Sequence, residues 1–427
     1  MLALAFAALA LLVQPDTTFQ TPTATPTVEA PDSVEEAVET ATEDVRRFRV
    51  RPVFSPGSLY SGSKGFGVGG GIAMDHALMP DDHLQVEARL SQHLLGAFGE
   101  YVTGTPANES VFALVGASAW TTSKTRFYGY GPRSSADGDL FLNRRALQAE
   151  ARVGWAPAGP RGVILQPTVR YRYDLVRSYE ESVTGGIAAL RPADRARLDA
   201  TLGQSRRGIE VALSALRDSR DVRAMPVRGS YLQAEAARFE AIDGTGLGFT
   251  RVQATGYVFR PALFRIPFLP DRGAIFFRAN AVVTREDSGD EPLPWVYLPD
   301  LDRDLLVGYP AGDFVGRDAL SVGVGVRGVV AQAIGALLIE GVGMTQVGAA
   351  YDDIFNEFTP AVRLSQDRPA DGEKVRMQPS LSVGLNLHFI DRERPLVGGL
   401  IGVGPGGVAL ASLRLVWGLG DYRPRLD

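Results

Sequence analysis

The sequence predicts an all-β fold, a transmembrane antiparallel β-barrel, and three observations carry that reading. Long segments after residue 46 alternate apolar and polar residues, the period of a strand with one apolar and one polar face. The segments run to about 10 residues or more, the length a tilted strand needs to cross a bilayer, where soluble strands usually have about 5–6. Helical periodicity is almost absent from residues 46–427, a stretch far too long for one ordinary sandwich. A soluble multi-sheet protein also alternates. Strand length, chain length and the N-terminus together favour the barrel.

Taken in order, Leu2 to Val13 is an unbroken apolar run. It is too short for the ~20 residues of a spanning helix and has the length of a signal-peptide core. No Lys or Arg precedes it and no Ala-x-Ala site follows at once, so no cleavage point is marked. Residues 1–13 are read as a signal-peptide core. Residues 14–45, rich in Thr, Pro, Ala and Glu, read as a flexible linker with at most a short helix near Val34 to Ala41. Residues 46–427 form the barrel domain. The expected location is the bacterial outer membrane, reached by export through the inner membrane.

The strands follow. In "LQVEARLS", Leu84, Val86, Ala88 and Leu90 share one face, and Gln85, Glu87, Arg89 and Ser91 the other. "ALQAEARVGW" opposes Leu147, Ala149, Ala151, Val153 and Trp155 to Gln148, Glu150 and Arg152. "VILQPTVRYRYDL" opposes Val163, Leu165, Val169 and Tyr171 to Gln166, Thr168, Arg170, Arg172 and Asp174. Near the end, Leu381, Val383, Leu385 and Leu387 oppose Ser380, Ser382, Asn386 and His388. In a membrane barrel the apolar face meets lipid and the polar face a watery lumen. Closure of the sheet satisfies the backbone groups that hydrocarbon cannot.

Strand centres fall near Val68, Val86, Phe98, Leu114, Ala149, Val169, Val211, Glu235, Ala254, Ala279, Val324, Leu337, Val383, Gly399 and Leu413. That is fifteen centres. Bacterial barrels have even strand numbers, so about sixteen strands are expected, with one missed or merged, and fourteen is the alternative. Alternate connections are short; Arg177 to Arg206 and Asp287 to Arg317 are long. The first of these holds "IAALRPADRARLDATL", where Leu190, Ala193, Ala196, Leu198 and Leu202 are spaced for a short surface helix.

Composition excludes several functions. A net charge of −5 gives no reason to expect a nucleic-acid partner. The absence of Cys removes disulfide scaffolds, thiolate nucleophiles and Cys-ligated metals. "GFGVGGG" (Gly65 to Gly71) is followed by no helix pattern, so it reads as a glycine-rich strand and not a phosphate loop. His76, His83 and His93 show no metal-ligand spacing, and His388 reads as a pore-lining group. No G-x-S-x-G sequence occurs. Arg89, Arg152, Arg170 and Arg172 against Glu87, Glu150 and Asp174 read as cross-strand charge pairs on the lumenal face. No catalytic, metal or cofactor site is expected, and the chain is not read as an enzyme.

Two stretches go beyond pattern. "LRDSRDVRAMPVRGSYLQAEAARF" (Leu216 to Phe239) resembles the strand–turn–strand signature of the BamA/TamA superfamily of outer-membrane barrels, the bacterial surface antigen domains. Asp218, Ser219, Arg220, Asp221, Pro226, Arg228 and Gly229 stand at the matching places. The long loop before the last strands resembles the family's lumenal loop through Gly308, Tyr309, Pro310, Gly312, Phe314, Arg317 and Asp318. Where the family's loop carries an Arg, this chain has Val307.

The resemblance covers about Arg46 to Leu419 at superfamily level, and residues 14–45 are too short for the family's periplasmic POTRA modules, so a barrel without them is expected. It implies a long loop folded into the lumen. It also implies insertion or translocation of proteins, or in some branches lipids, with outer-membrane lipids and client proteins or lipids as partners. The family's seam between first and last strands can open toward lipid; Gly65 to Gly71, taken as strand one, and Val397 to Gly407 have the glycine content for such a seam. The alternative is a passive channel or structural barrel plugged by its own loop.

Overall fold

A computed structural model describes residues 49–415 except 55–57, 62–64, 79–81, 104–109, 135–138, 159–161, 182–185, 222–225, 263–272, 288–292, 302–305, 307, 310–314, 334–336, 366, 390–394 and 406. The signal-core and linker assignments therefore lie outside the described residues, as do Val307, Pro310, Gly312 and Phe314 of the loop motif.

The described residues form eighteen strands. The first eight are β1 (Arg49–Phe54), β2 (Ser58–Ser61), β3 (Gly65–Asp75), β4 (Asp82–Ser91), β5 (Leu94–Thr103), β6 (Val111–Phe127), β7 (Leu140–Trp155) and β8 (Val163–Glu181). Then come β9 (Ser205–Asp218), β10 (Gly229–Ala241), β11 (Gly248–Pro261), β12 (Ala274–Glu286), β13 (Asp318–Ala333), β14 (Leu337–Tyr351), β15 (Phe358–Val362), β16 (Val375–Phe389), β17 (Pro395–Gly404) and β18 (Gly407–Leu415). Two helices lie in connections: α1 (Pro192–Thr201), at the place the Leu190–Leu202 spacing predicts, and α2 (Ile354–Glu357). No described helix is long and apolar enough to cross a membrane.

Each strand from β3 to β13 pairs antiparallel with its successor, and β14, β16, β17 and β18 continue the series. β1 and β2 lie one after the other along the same edge of β3. β15 pairs in parallel with the start of β16 only. Counting β1 and β2 as one interrupted stave and leaving β15 aside gives 18 − 2 = 16 staves. All fifteen predicted centres fall in strands.

The stave that alternation misses is the first. Its sequence, "RVRPVFSPGSLYS", is broken by Pro52, Pro56 and Gly57, and a proline cannot donate to a ladder. Gly65 to Gly71 is therefore not strand one. It belongs to β3, the second stave, laddered on both sides. The ends of the sheet meet where β18 faces β2, through Leu413 opposite Tyr60 and Arg414 opposite Ser58, with a register shift between them. Ladders such as β16–β17 and β17–β18 run over eight positions each. Among the described residues the seam is the shortest antiparallel junction around the staves.

The fold is inside-out. Val86, Leu90, Val115, Val153, Val169, Val211, Leu213, Val324 and Leu381 are exposed, while Gln85, Glu87, Arg152, Gln166, Arg170, Glu210, Glu235 and Ser382 are buried. An exposed apolar band of this extent needs lipid around it. The described ends of the long connections 182–204, 287–317 and 352–374 share one rim, because every strand reverses direction at each step.

Candidate functional site: the lumen and its inner loop

Alternation puts Arg152, Arg170, Glu210 and Glu235 on the lumenal face of four different strands, and the register brings them level. Arg170 donates to Glu150 at 3.3 Å, to Glu210 at 2.5 Å and to Glu235 at 3.1 and 3.2 Å. Arg152 reaches Glu150 at 3.4 Å, Arg172 reaches Glu210 at 3.4 Å and Gln253 donates to Glu235 at 3.2 Å. One guanidinium thus links β7, β8, β9 and β10. Charges this buried persist only when paired in such a network. Of the expected cross-strand pairs Arg170 to Glu150 exists; Arg89 pairs with Glu87 at 3.0 Å and Arg152 with Glu150 along their own strands, Arg172 pairs with Glu210, and Asp174 pairs with Arg144 at 2.8 Å.

His388 departs from its expected place as a pore-lining group. It is 1% exposed, and its Nε2 lies 3.1 Å from Glu340 Oε2. Arg327 and Asn386 hold the same carboxylate at 2.6 and 2.9 Å. His388 is thus a member of a buried network on β13, β14 and β16.

The connection from β12 to β13 turns inward. Trp295 packs with Phe127, Leu140 and Leu142 of β6 and β7, and Tyr297 packs with Phe239 and Phe249 of β10 and β11. Arg172 lies 5.0 Å over the Tyr297 ring and Arg144 lies 5.9 Å over Trp295, while Arg251 donates to the Tyr297 carbonyl. Leu301, Leu306 and Tyr309 form a third apolar group with Val282, Ala319 and Ala350. The described residues of the loop therefore touch the wall on several sides. "LPWVYLP", an aromatic pair between prolines in an acidic loop, is the sequence signal for this inward packing, which pattern reading passed over.

At the loop tip, Gly308 has a φ of +105°, a conformation L side chains rarely adopt, and a Cβ there would stand 2.9 Å from Val403 N. The Tyr309 hydroxyl donates to the Pro379 carbonyl at 2.7 Å, and a Cβ on Gly404 would meet its ring at 2.8 Å. The tip thus rests on β16 and β17. Asp318 is fully buried and does not pair with its neighbour Arg317. It accepts from Arg285 at 2.8 Å and from the Thr284 and Ile354 amides at 2.9 and 3.0 Å, tying β12, β13 and α2 together.

The turn signature lies at the opposite rim and does not meet the loop motif. Arg220 and Asp218 form a two-armed pair at 2.8 and 2.8 Å, and the Asp221 carboxylate accepts from the Val227 and Arg228 amides at 3.0 and 3.2 Å. Ser219 and Ser230 hydroxyls are 3.0 Å apart. Gly229 has a φ of +99°, and a Cβ there would lie 2.2 Å from the Ser219 carbonyl oxygen. Pro226 is buried beside them and Arg228 is exposed. The acids satisfy turn amides that strand pairing leaves free.

Over the long-loop rim the connections interlock. Arg133, between β6 and β7, donates to Glu357 at 2.6 Å and to the carbonyls of Ala370 and Glu373 at 3.2 and 3.0 Å, all between β14 and β16. The Gly131 amide donates to Val315 of the inner loop at 2.8 Å.

No protein-family model and no curated protein matches the sequence. Solved structures do match. BamA from Haemophilus ducreyi, in a crystal structure lacking POTRA domains 1–3, is similar with a TM-score of 0.57 at 12% identity, over 86% of this chain and 69% of that one. This chain shares that fold. CdiB from Escherichia coli gives a TM-score of 0.49 at 10% identity, over 86% of this chain and 61% of that one. CdiB from Acinetobacter baumannii gives 0.45 at 9%, over 86% and 63%. The chain spans less than two thirds of either CdiB.

Proposed function

We propose that the protein is an outer-membrane barrel of the BamA/TamA type that inserts or translocates proteins or lipids, acting without catalysis of its own. The observation that carries this is the seam. Among the described residues every main ladder is long except the two-position contact between β2 and β18, while Trp295 and Tyr297 of the inner loop pack against the lumenal wall. The easiest opening is therefore sideways, toward lipid, where a client strand could pair with an unladdered edge. The loop residues Gly308, Tyr309, Pro310, Gly312, Phe314, Arg317 and Asp318 and the turn from Asp218 to Gly229 are part of the same proposal, as the barrel's lumenal brace and its rim turn.

The chain has no Cys, so one engineered pair tests the seam cleanly. Tyr60→Cys with Leu413→Cys, oxidised, is expected to abolish function while the single variants retain it. The readout is the outer-membrane proteome after depletion and complementation. An unchanged proteome on depletion would instead favour the second reading, a structural barrel plugged by its own loop, to which the interlocked rim lends weight.

A further inference from the structure

Within the interlocked rim, Tyr130, Arg191 just before α1, Arg197 within it, Glu286 at the end of β12, Arg317 and Asp352 line one cavity of about 320 Å³. That is the size of a small-molecule site, where pockets run from about 300 Å³ upward. Its charges are unevenly used. Arg191 is committed to Asp194 at 2.8 Å and to the Tyr130 carbonyl at 2.6 Å. Arg197 lies 4.5 Å over the Tyr130 ring and its Nε, buried, has no hydrogen-bond partner. Arg317 makes no hydrogen bond among the described residues, and its charge acts on Asp352. Glu286 Oε1 is buried with no partner. Asp352 has Arg133 at 3.7 Å.

Glu286 Oε1 and Arg197 Nε, opposite in charge, thus stand at one cavity with no hydrogen bond of their own. Glu286 ends a laddered strand, and Arg197 sits on a helix packed through the fully buried Leu198. A partly buried charge without a partner is costly, and a ligand bearing both signs relieves both ends at once. We propose that this cavity binds a small zwitterion, a molecule with an ammonium group and a carboxylate or phosphate a few atoms apart. The anionic end meets Arg197 and Arg317, which match planar oxygen pairs. The ammonium meets Glu286, with Asp352 beside it.

Two sources share this chemistry, an amino acid or short peptide and a phosphoethanolamine headgroup. Isothermal titration of the full chain in detergent micelles with glycylglycine and with O-phosphoethanolamine separates them. Acetate, inorganic phosphate and ethylamine serve as single-charge controls. At least one zwitterion is expected to bind about tenfold tighter than any control, and Arg317→Gln and Glu286→Gln each to weaken it about tenfold. Heat-modifiable migration of each variant checks that the barrel is intact. Phosphate binding as tightly as phosphoethanolamine, or no zwitterion binding at about 10 mM, overturns the proposal.

Discussion

Arg133 and Glu357 form a 2.6 Å hydrogen bond across the mouth of the barrel. Their parent strands are as far apart as the sheet allows. β8 to β13 stand between them on one side, and β5, β4, β3, the β1–β2 stave, β18 and β17 on the other, six staves each way. Connections from opposite sides of the opening therefore meet through one arginine, which sets the first expectation.

Arg133→Ala removes three bonds to the β14–β16 connection at once. Amide exchange in residues 128–134 and 367–374 should speed by about tenfold, as for loss of ~1.4 kcal/mol of local protection. Exchange in β9 to β11 should not change. Mass-resolved exchange at matched pH reads both.

Asp352 gives the rim a pH dependence. Burial first, and the nearby Glu357 second, hold its carboxyl above the usual aspartate range. The folded rim therefore keeps a proton that the open rim has lost, so local stability falls as pH rises from about 4, the ordinary value, through the raised one. Asp352→Asn has nothing to titrate. Exchange at residues 128–134 should match wild type below about pH 4 and be slower in the variant at neutral pH. Faster exchange in the variant at neutral pH would mean that Arg133 and Arg317 outweigh burial.

Arg170→Met leaves Glu150, Glu210 and Glu235 facing one another in the wall. A broken buried pair costs about 3–5 kcal/mol, and urea unfolding in micelles should register a loss of that order. Adding Glu210→Gln and Glu235→Gln should recover much of it.

The three apolar groups along the inner loop predict how the lumen opens. Removing Asp300 to Asp313 takes away Leu301, Leu306 and Tyr309 but leaves Trp295 and Tyr297 seated. Planar-bilayer conductance should stay low in that deletion and rise only when residues 293–313 are removed. Large conductance from the shorter deletion would place the plug in the tip alone.

Much of the fold was legible because alternation is local: a strand between lipid and water must show period two wherever it runs. The first stave hid behind Pro52, Pro56 and Gly57. The turn from Asp218 to Gly229 was legible for the same local reason, since its partners lie within about one hairpin of each other. Arg170's three acids were not, because they depend on the register of four strands. Nor was Arg133, whose partners lie 224 to 240 residues away and meet only once the sheet has curled.

The Arg170 network has a mechanical side. It pins β7 to β10 to one another through side chains as well as backbone. Toward the seam the wall is rich in glycine: β17 alone carries Gly398, Gly399, Gly402 and Gly404, and β3 carries Gly65, Gly67 and Gly69 to Gly71. The wall is therefore braced by buried side chains at β7 to β10 and at β13, β14 and β16, with glycine-rich strands nearer the seam. Lateral pressure from a thinner or thicker bilayer should deform those glycine-rich strands first, so that the surrounding lipid itself sets how far the barrel is ovalised there.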